Sequence, residues 1–171
     1  MKLLEAKFIE KKAYLDYIKE WRDAGEPIIP MASDCKVSSF ETWLEETEQI
    51  KHKITCPEGW VTAQTHFVID DQGKLCGAIN IRHELNDFLL KTGGHIGYGV
   101  RPSERGKGHA RWMLLKALDI CKDLSITYVL ITCDQSNIAS INTILSVGGE
   151  FKNEVVEEGT GKIKRRYWVK L

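Results

Sequence analysis

The sequence predicts an α/β (α+β) fold: a mixed, strongly twisted sheet of six to seven strands with helices on both faces. Three observations carry that reading. Residues 62–70 and 74–82 are strand-like runs joined by Asp71-Gln72-Gly73, the pattern of an antiparallel hairpin. Residues 95–133 read as strand, amphipathic helix, strand, a crossover that forces a parallel pair. Ile126 to Cys133 is a continuous apolar, β-branched run, as expected of a strand covered on both faces.

The remaining elements follow in chain order. Leu3 to Ile9 reads as a short first strand. Lys11 to Ala24 has Tyr14, Leu15, Ile18 and Trp21 at helical spacing, with Gly25 as a stop. Pro27 and Pro30 bar a helix from 26–31. Ser38 and Glu41 are spaced as a capping box, opening a helix through about Ile50 with Trp43 and Leu44 inward. Residues 83–91 allow one or two helical turns before Gly93-Gly94, and His95 to Val100 is a strand. From His109 to about Leu124, the residues Ala110, Met113, Leu114, Ala117, Leu118 and Cys121 form one apolar stripe. Ile138 to Val147 is a second such helix, with Ile141 and Leu145 inward. Strands at 150–158 and 162–169 flank Gly159-Thr160-Gly161. The whole is read as one domain, 1–171, with 61–151 as a cofactor-binding core and 1–60 as a helical region on the acceptor side.

Composition excludes several classes. A chain of 171 residues suits one domain with a real core. Lys+Arg and Asp+Glu are both 24, which argues against a general nucleic-acid or membrane binder. No apolar run approaches the roughly 20 residues of a membrane span, and the N-terminus lacks the form of a secretory signal. Five cysteines without a C-x-x-C pair indicate neither a disulfide framework nor a zinc knuckle, and fit a reducing cytoplasm. His83-Glu84-Leu85-Asn86-Asp87 nearly matches H-E-x-x-H, but its last position is Asp and no third ligand is placed, so no metal is expected.

Charge is uneven along the chain. Residues 101–122 carry 6 basic and 2 acidic side chains, and 123–150 carry no Lys or Arg. The basic stretch contains Arg105-Gly106-Lys107-Gly108-His109-Ala110, between strand and helix. Glycines allow close backbone approach and positive φ, the helix start offers free N–H groups, and Arg105 and Lys107 add charge. Together they make a cradle for a diphosphate. The Walker A pattern is absent, and the dinucleotide fingerprint fails at its third glycine, both here and at Gly97-Tyr98-Gly99.

The pattern that fits is R/Q-x-x-G-x-G/A, with Ala110 at its last position. It resembles the acetyl-CoA loop of the GCN5-related N-acetyltransferases, the GNAT superfamily. Asn137-Ile138-Ala139-Ser140 followed by Gly148-Gly149 resembles the family's N-x-x-[AS] helix start and terminal turn, so the likeness spans about 62–151. The run GGHIGYGVRPSERGKG further resembles an uncharacterised bacterial acetyltransferase subgroup.

The resemblance implies an acetyl-CoA-dependent N-acetyltransferase, with acetyl-CoA as cosubstrate and a small-molecule or peptide amine as acceptor. In it the diphosphate lies on Gly106, Lys107, Gly108, His109 and Ala110 beside Arg105. The pantetheine arm pairs with the strand around Tyr98 and Val100, near Asn137 and Ser140. Family members often carry a Tyr acid seven residues after the motif Asn; here that place is Ile144. A Glu base commonly opens the fourth strand; here that place is Gly94, beside His95. His95, with an ordinary pKa near 6.5, and Glu84, near the end of the third strand, are the candidate bases. The acceptor is expected among the N-terminal helices and 83–94, where Trp43, Trp60 and Phe88 stand with several acids. Exposed sheet edges permit a homodimer. The missing Tyr leaves an alternative, a CoA-binding module or sensor that keeps the fold without turnover.

Overall fold

A computed structural model describes residues 1–36 and 38–171. In chain order the elements are β1 (Lys2–Glu5), α1 (Lys11–Asp23), α2 (Phe40–Lys51), β2 (Ala63–Ile69), β3 (Leu75–Arg82), β4 (Ile96–Val100), α3 (His109–Asp123), β5 (Tyr128–Asp134), α4 (Ile138–Leu145), β6 (Glu150–Val156) and β7 (Ile163–Lys170). Single turns of 3-10 helix stand at Ala6–Phe8, Met31–Ser33 and Pro102–Glu104, and a π-helical turn at Leu89–Gly93. Among the described residues, no helix is long and apolar enough to cross a membrane.

The strands form a seven-stranded sheet in the order β1-β2-β3-β4-β5-β7-β6. Every neighbouring pair is antiparallel except β4 and β5, the parallel pair that the crossover requires. Alternation along the strands sorts two cores. On one face Ile79, Ile81, Ile96, Val129 and Ile131 meet Met113, Leu114, Ala117 and Leu118 of α3 and Ile141 and Ile144 of α4. On the other, Phe67, Leu75 and Ala78 meet Tyr14, Tyr17, Ile18 and Trp21 of α1 and Phe40 and Trp43 of α2. The Tyr14 and Trp43 rings stack with centroids 4.5 Å apart, and Phe67 meets both edge-on.

Several local expectations are corrected. The first strand ends at Glu5 and turns through a 3-10 helix, so the N-terminal region also supplies an edge strand. On α1, Leu15 is exposed and Tyr17 is buried. On α4, Leu145 is exposed and Ile144 takes the inward place. On α1 the buried stripe is Tyr14, Tyr17, Ile18 and Trp21, with Leu15 just outside it, and on α4 the slip is a single residue. The cap of α2 is Ser39 rather than Ser38: its Oγ accepts from the Thr42 N–H at 3.1 Å. His95 precedes β4 instead of starting it.

Glycines in β4 position the segment before α2. Gly97 and Gly99 face the α1 side of the sheet, and the chain at Ile29-Pro30 crosses directly over them. A Cβ on Gly99 would stand 2.1 Å from the Ile29 carbonyl oxygen, so no other residue fits without moving backbone. Tyr14 holds the next turn: its hydroxyl donates to the Ser33 carbonyl at 3.0 Å and accepts from the Cys35 N–H at 2.8 Å.

Candidate active site

The strands β4 and β5 touch at one pair of residues, Ile96 and Ile131, and splay apart beyond it. Which β4 groups face the gap follows from strand geometry. Arg82 N–H donates to the His95 carbonyl and Arg101 N–H to the Cys76 carbonyl. Odd-numbered residues of β4 therefore bond to β3, and the N–H groups of Tyr98 and Val100 point into the gap. The Tyr98 side chain leaves on the α3 side. Its hydroxyl lies 2.8 Å from Ser140 Oγ in the first turn of α4, so the phenol spans from β4 to the helix that follows β5. Burial pushes this phenol up to about 12, partly offset by the Ser140 hydrogen bond. Asn137 caps α4: its Oδ1 accepts from the Ser140 N–H at 3.0 Å.

The loop before α3 turns through Gly106 and Gly108, both at positive φ. Gly108, at φ 84° and ψ 0°, is the N-cap of α3, and a Cβ on either glycine would meet nothing within 4 Å. The helix start is therefore open to a ligand, with unpaired N–H groups and a partial positive charge. The side-chain charges are less free than the sequence implies. Arg105 makes two bonds to Glu26, at 2.9 and 2.5 Å, and lies over the Trp21 ring. Lys107 binds Glu104 at 2.8 Å and Lys74 binds it at 2.5 Å. These ion pairs, Lys107 first, hold the Glu104 carboxyl down at about 2. His109 Nε2 stands 3.4 Å from the same carboxylate. Glu104, Cys76 and His109 are close enough to share a cation, but the two ammonium groups already occupy the carboxylate. Arg101, one of the basic residues of the 101–122 stretch, is buried against Asp16 at 2.7 Å and Glu20 at 2.5 Å.

The two candidate bases are not brought to the site. His95 is buried, and its Nδ1 accepts the Leu130 N–H at 2.9 Å while its backbone N–H donates to the Leu130 carbonyl at 2.7 Å. The lone pair a base needs is thus committed to backbone, and the ring proton sits on Nε2. Burial first, then the nearby Arg82 charge, lowers its pKa to about 4. Glu84 lies exposed on the bend after β3, outside the cavity described next.

These shifts predict a pH dependence of stability. Between about 4 and 6.5 the unfolded chain protonates His95 and the folded chain does not. Unfolded protein then binds more protons, so stability falls as pH drops through that window. The His95 share is about 2–3 kcal/mol. His66 and His83, also lowered by burial, add to it. Urea unfolding of the wild type from pH 7 to 4 should show the loss, and His95→Gln should flatten part of it; a parallel decline in the variant would remove His95 as the cause.

On the α1/α2 face of the sheet lies a cavity of about 440 Å³. Trp43, Trp60 and Phe88 line it, as does the 31–36 turn with Asp34 and Lys36, and Glu46 stands at its side. The aromatic residues singled out in the sequence do converge. What sequence reasoning missed is the polar floor of Thr65, Asn80 and Arg82, contributed by alternate positions of β2 and β3. The period-two pattern of β3 carries that signal: Asn80 and Arg82 interrupt an apolar strand on one face.

A splayed parallel pair, an open helix start beside it and a cavity across the sheet are brought together by this fold. Residues 15–148 match the family model described as the acetyltransferase (GNAT) family. The chain belongs to that family and is an N-acetyltransferase, moving an acetyl group to an amine. Solved structures share the fold. A dodecameric spermidine N-acetyltransferase of Vibrio cholerae, in an intermediate state, is 16% identical over 99% of this chain and 92% of its own, with TM-score 0.66. A point mutant of the Vibrio cholerae enzyme SpeG is 18% identical over 99% and 95%, with TM-score 0.67. A candidate acetyltransferase of Acinetobacter baylyi is 15% identical over 99% and 91%, with TM-score 0.64. No curated protein matches the chain.

Proposed function

We propose that the acetyl donor is acetyl-CoA and that transfer takes place where β4 and β5 part. The observation that carries this reading is the pair of N–H groups, Tyr98 and Val100, directed into a gap that α3 opens onto through Gly106 and Gly108. Acetyl-CoA supplies its acetyl group as a thioester, whose carbonyl carbon an amine can attack. The backbone N–H groups of residues 106–110 bind the diphosphate at the start of α3. Arg105 and Lys107 flank it, exchanging their carboxylate partners for phosphate oxygens, and His109 borders the loop. Val100 and Tyr98 N–H hold the extended arm and polarise the carbonyl as negative charge grows on its oxygen. Asn137 and Ser140 order the start of α4 on the other wall.

The acceptor enters from the cavity on the opposite face as a neutral amine. Its nitrogen forms the new C–N bond, the C–S bond breaks, and the sulfur departs with the electron pair. The nitrogen then gives up one proton to water. Tyr98 donates its proton to the departing sulfur and regains one from water: its hydroxyl stays protonated at neutral pH and sits on the α4 side of the gap, where Ile144 has no proton to give. The five free thiols support a reading of this enzyme as cytoplasmic. The exposed β6 edge is where a second copy would add.

Free-thiol release from acetyl-CoA over a panel of amines tests the reading. Wild type should release thiol with at least one acceptor, and Tyr98→Phe should lower kcat about 10–100-fold while acetyl-CoA affinity changes little. Full kcat in the variant would remove Tyr98 as the acid; a wild type that neither binds acetyl-CoA nor releases thiol would contradict the function.

A further inference from the structure

Arg82 is a half-buried cation without an acid among the described residues. Its Nη1 donates to the carbonyl oxygens of Gly93 at 2.9 Å and Gly94 at 3.0 Å. No carboxylate among the described residues pairs with it, and burial alone draws the guanidinium below the usual arginine value. Arg101 provides a contrast within the same molecule: it is buried against two carboxylates. A guanidinium drawn partly out of water without a counter-ion is destabilised in proportion, and a charge so placed favours an anionic partner. Bonds to two carbonyls satisfy one nitrogen and leave the charge unmatched.

The placement of Arg82 shows what would match it. The side chain lines the apolar cavity, and its Nη2 stands over Gly97: a Cβ there would be 3.5 Å away. Gly97 pairs in register with Asn80, which faces the same cavity. Asn80 Nδ2 donates to Thr65 Oγ1 at 3.1 Å, which leaves its Oδ1 as an acceptor. A cation and an acceptor thus stand two residues apart on one strand face, beside the β4 backbone that carries the transfer site. Beyond them the walls are Trp43, Trp60, Phe88 and Leu89. The other charges on the cavity are Asp34, Glu46 and Lys36, which with Arg82 sum to zero, so the lining has no excess of acid to draw a polycation.

We propose that the acceptor is an apolar α-amino acid: its carboxylate binds the Arg82 guanidinium, its α-nitrogen lies at Asn80 facing β4, and its side chain fills the aromatic part of the cavity. This rests on the acetyl transfer proposed above. A planar guanidinium suits a carboxylate in two-point contact, and fixing that group beside Gly97 sets the adjacent nitrogen toward the thioester. An amine lacking the carboxylate leaves the cation unmatched, which is the stronger ground for discrimination.

The test compares L-phenylalanine and L-leucine with 2-phenylethylamine, isoamylamine, L-phenylalaninamide and spermidine, in thiol release and in saturable quenching of tryptophan fluorescence with CoA bound. The amino acids should be preferred in kcat/KM by about 10–100-fold, the range of a charge-assisted contact. Arg82→Gln should raise their KM by about the same factor, change kcat less, and close the gap to 2-phenylethylamine. A merely structural role in holding the 93–94 turn would weaken all acceptors alike. Preference for the amines or spermidine in wild type overturns the proposal, as does CoA-loaded protein that neither binds nor acetylates either amino acid. Failure to bind acetyl-CoA at all would instead overturn the transfer reading on which it rests.

Discussion

Gly99→Ala is expected to lower stability by about 3 kcal/mol, the upper end for overpacking, because the new methyl carbon would collide with backbone rather than with a side chain that can turn away. For a chain of this size that is a fall in melting temperature of about 6–12 °C. The Ile29 carbonyl oxygen would be 2.1 Å from the added carbon and the Ile29 carbonyl carbon 2.8 Å. Gly97→Ala is the control. The same face of the same strand there meets its nearest atoms at 3.5 Å, ordinary contact, and its φ is not positive. Its effect should stay within about 0.5 kcal/mol. The displaced segment leads directly into Met31–Asp34, which border the cavity. Gly99→Ala should therefore also raise the KM of the acceptor more than the dissociation constant of acetyl-CoA. Equal melting of Gly99→Ala and wild type, by calorimetry, would mean that the 29–30 segment does not lie on β4.

The order of elements was legible because each signal is local. The hairpin turn, the helical stripe of 109–124 and the apolar run of β5 each lie within one stretch of chain, and the crossover rule then fixes the parallel pair. The glycine loop was legible for the same reason, since loop and helix start are contiguous. What escaped is set by partners far apart in sequence. Arg101 reads as a loop cation until α1 supplies Asp16 and Glu20, more than eighty residues earlier. Arg105 reads as a free charge until Glu26, 79 residues earlier, takes it. Gly97 and Gly99 read as a failed nucleotide motif, whereas they admit a crossing chain. His95 has the residue type of a base, but the Leu130 N–H claims its lone pair. A strand's period of two indicates that Asn80 and Arg82 share a face; it does not indicate that the face opens on a cavity.

Gly108→Asp should abolish acetyl-CoA binding while leaving the fold intact. Gly108 adopts left-handed geometry, which costs an ordinary L-residue about 1–2 kcal/mol, and Asp tolerates it better than most. Asp is also favoured at an N-cap and beside the positive end of a helix, so the strain is largely offset. The space around the added carbon is empty, and the carboxylate would enter the volume assigned to the diphosphate. It would bond the helix N–H groups that the phosphates need, and its charge would repel them. The direct measurement is isothermal titration of acetyl-CoA into wild type and Gly108→Asp, with the melting temperature of each recorded. Saturable binding by wild type, a loss of at least about 100-fold in the variant, and melting temperatures within a few degrees are the predicted results. Equal affinity in the two proteins, or no binding by wild type, would contradict the placement of acetyl-CoA on this loop.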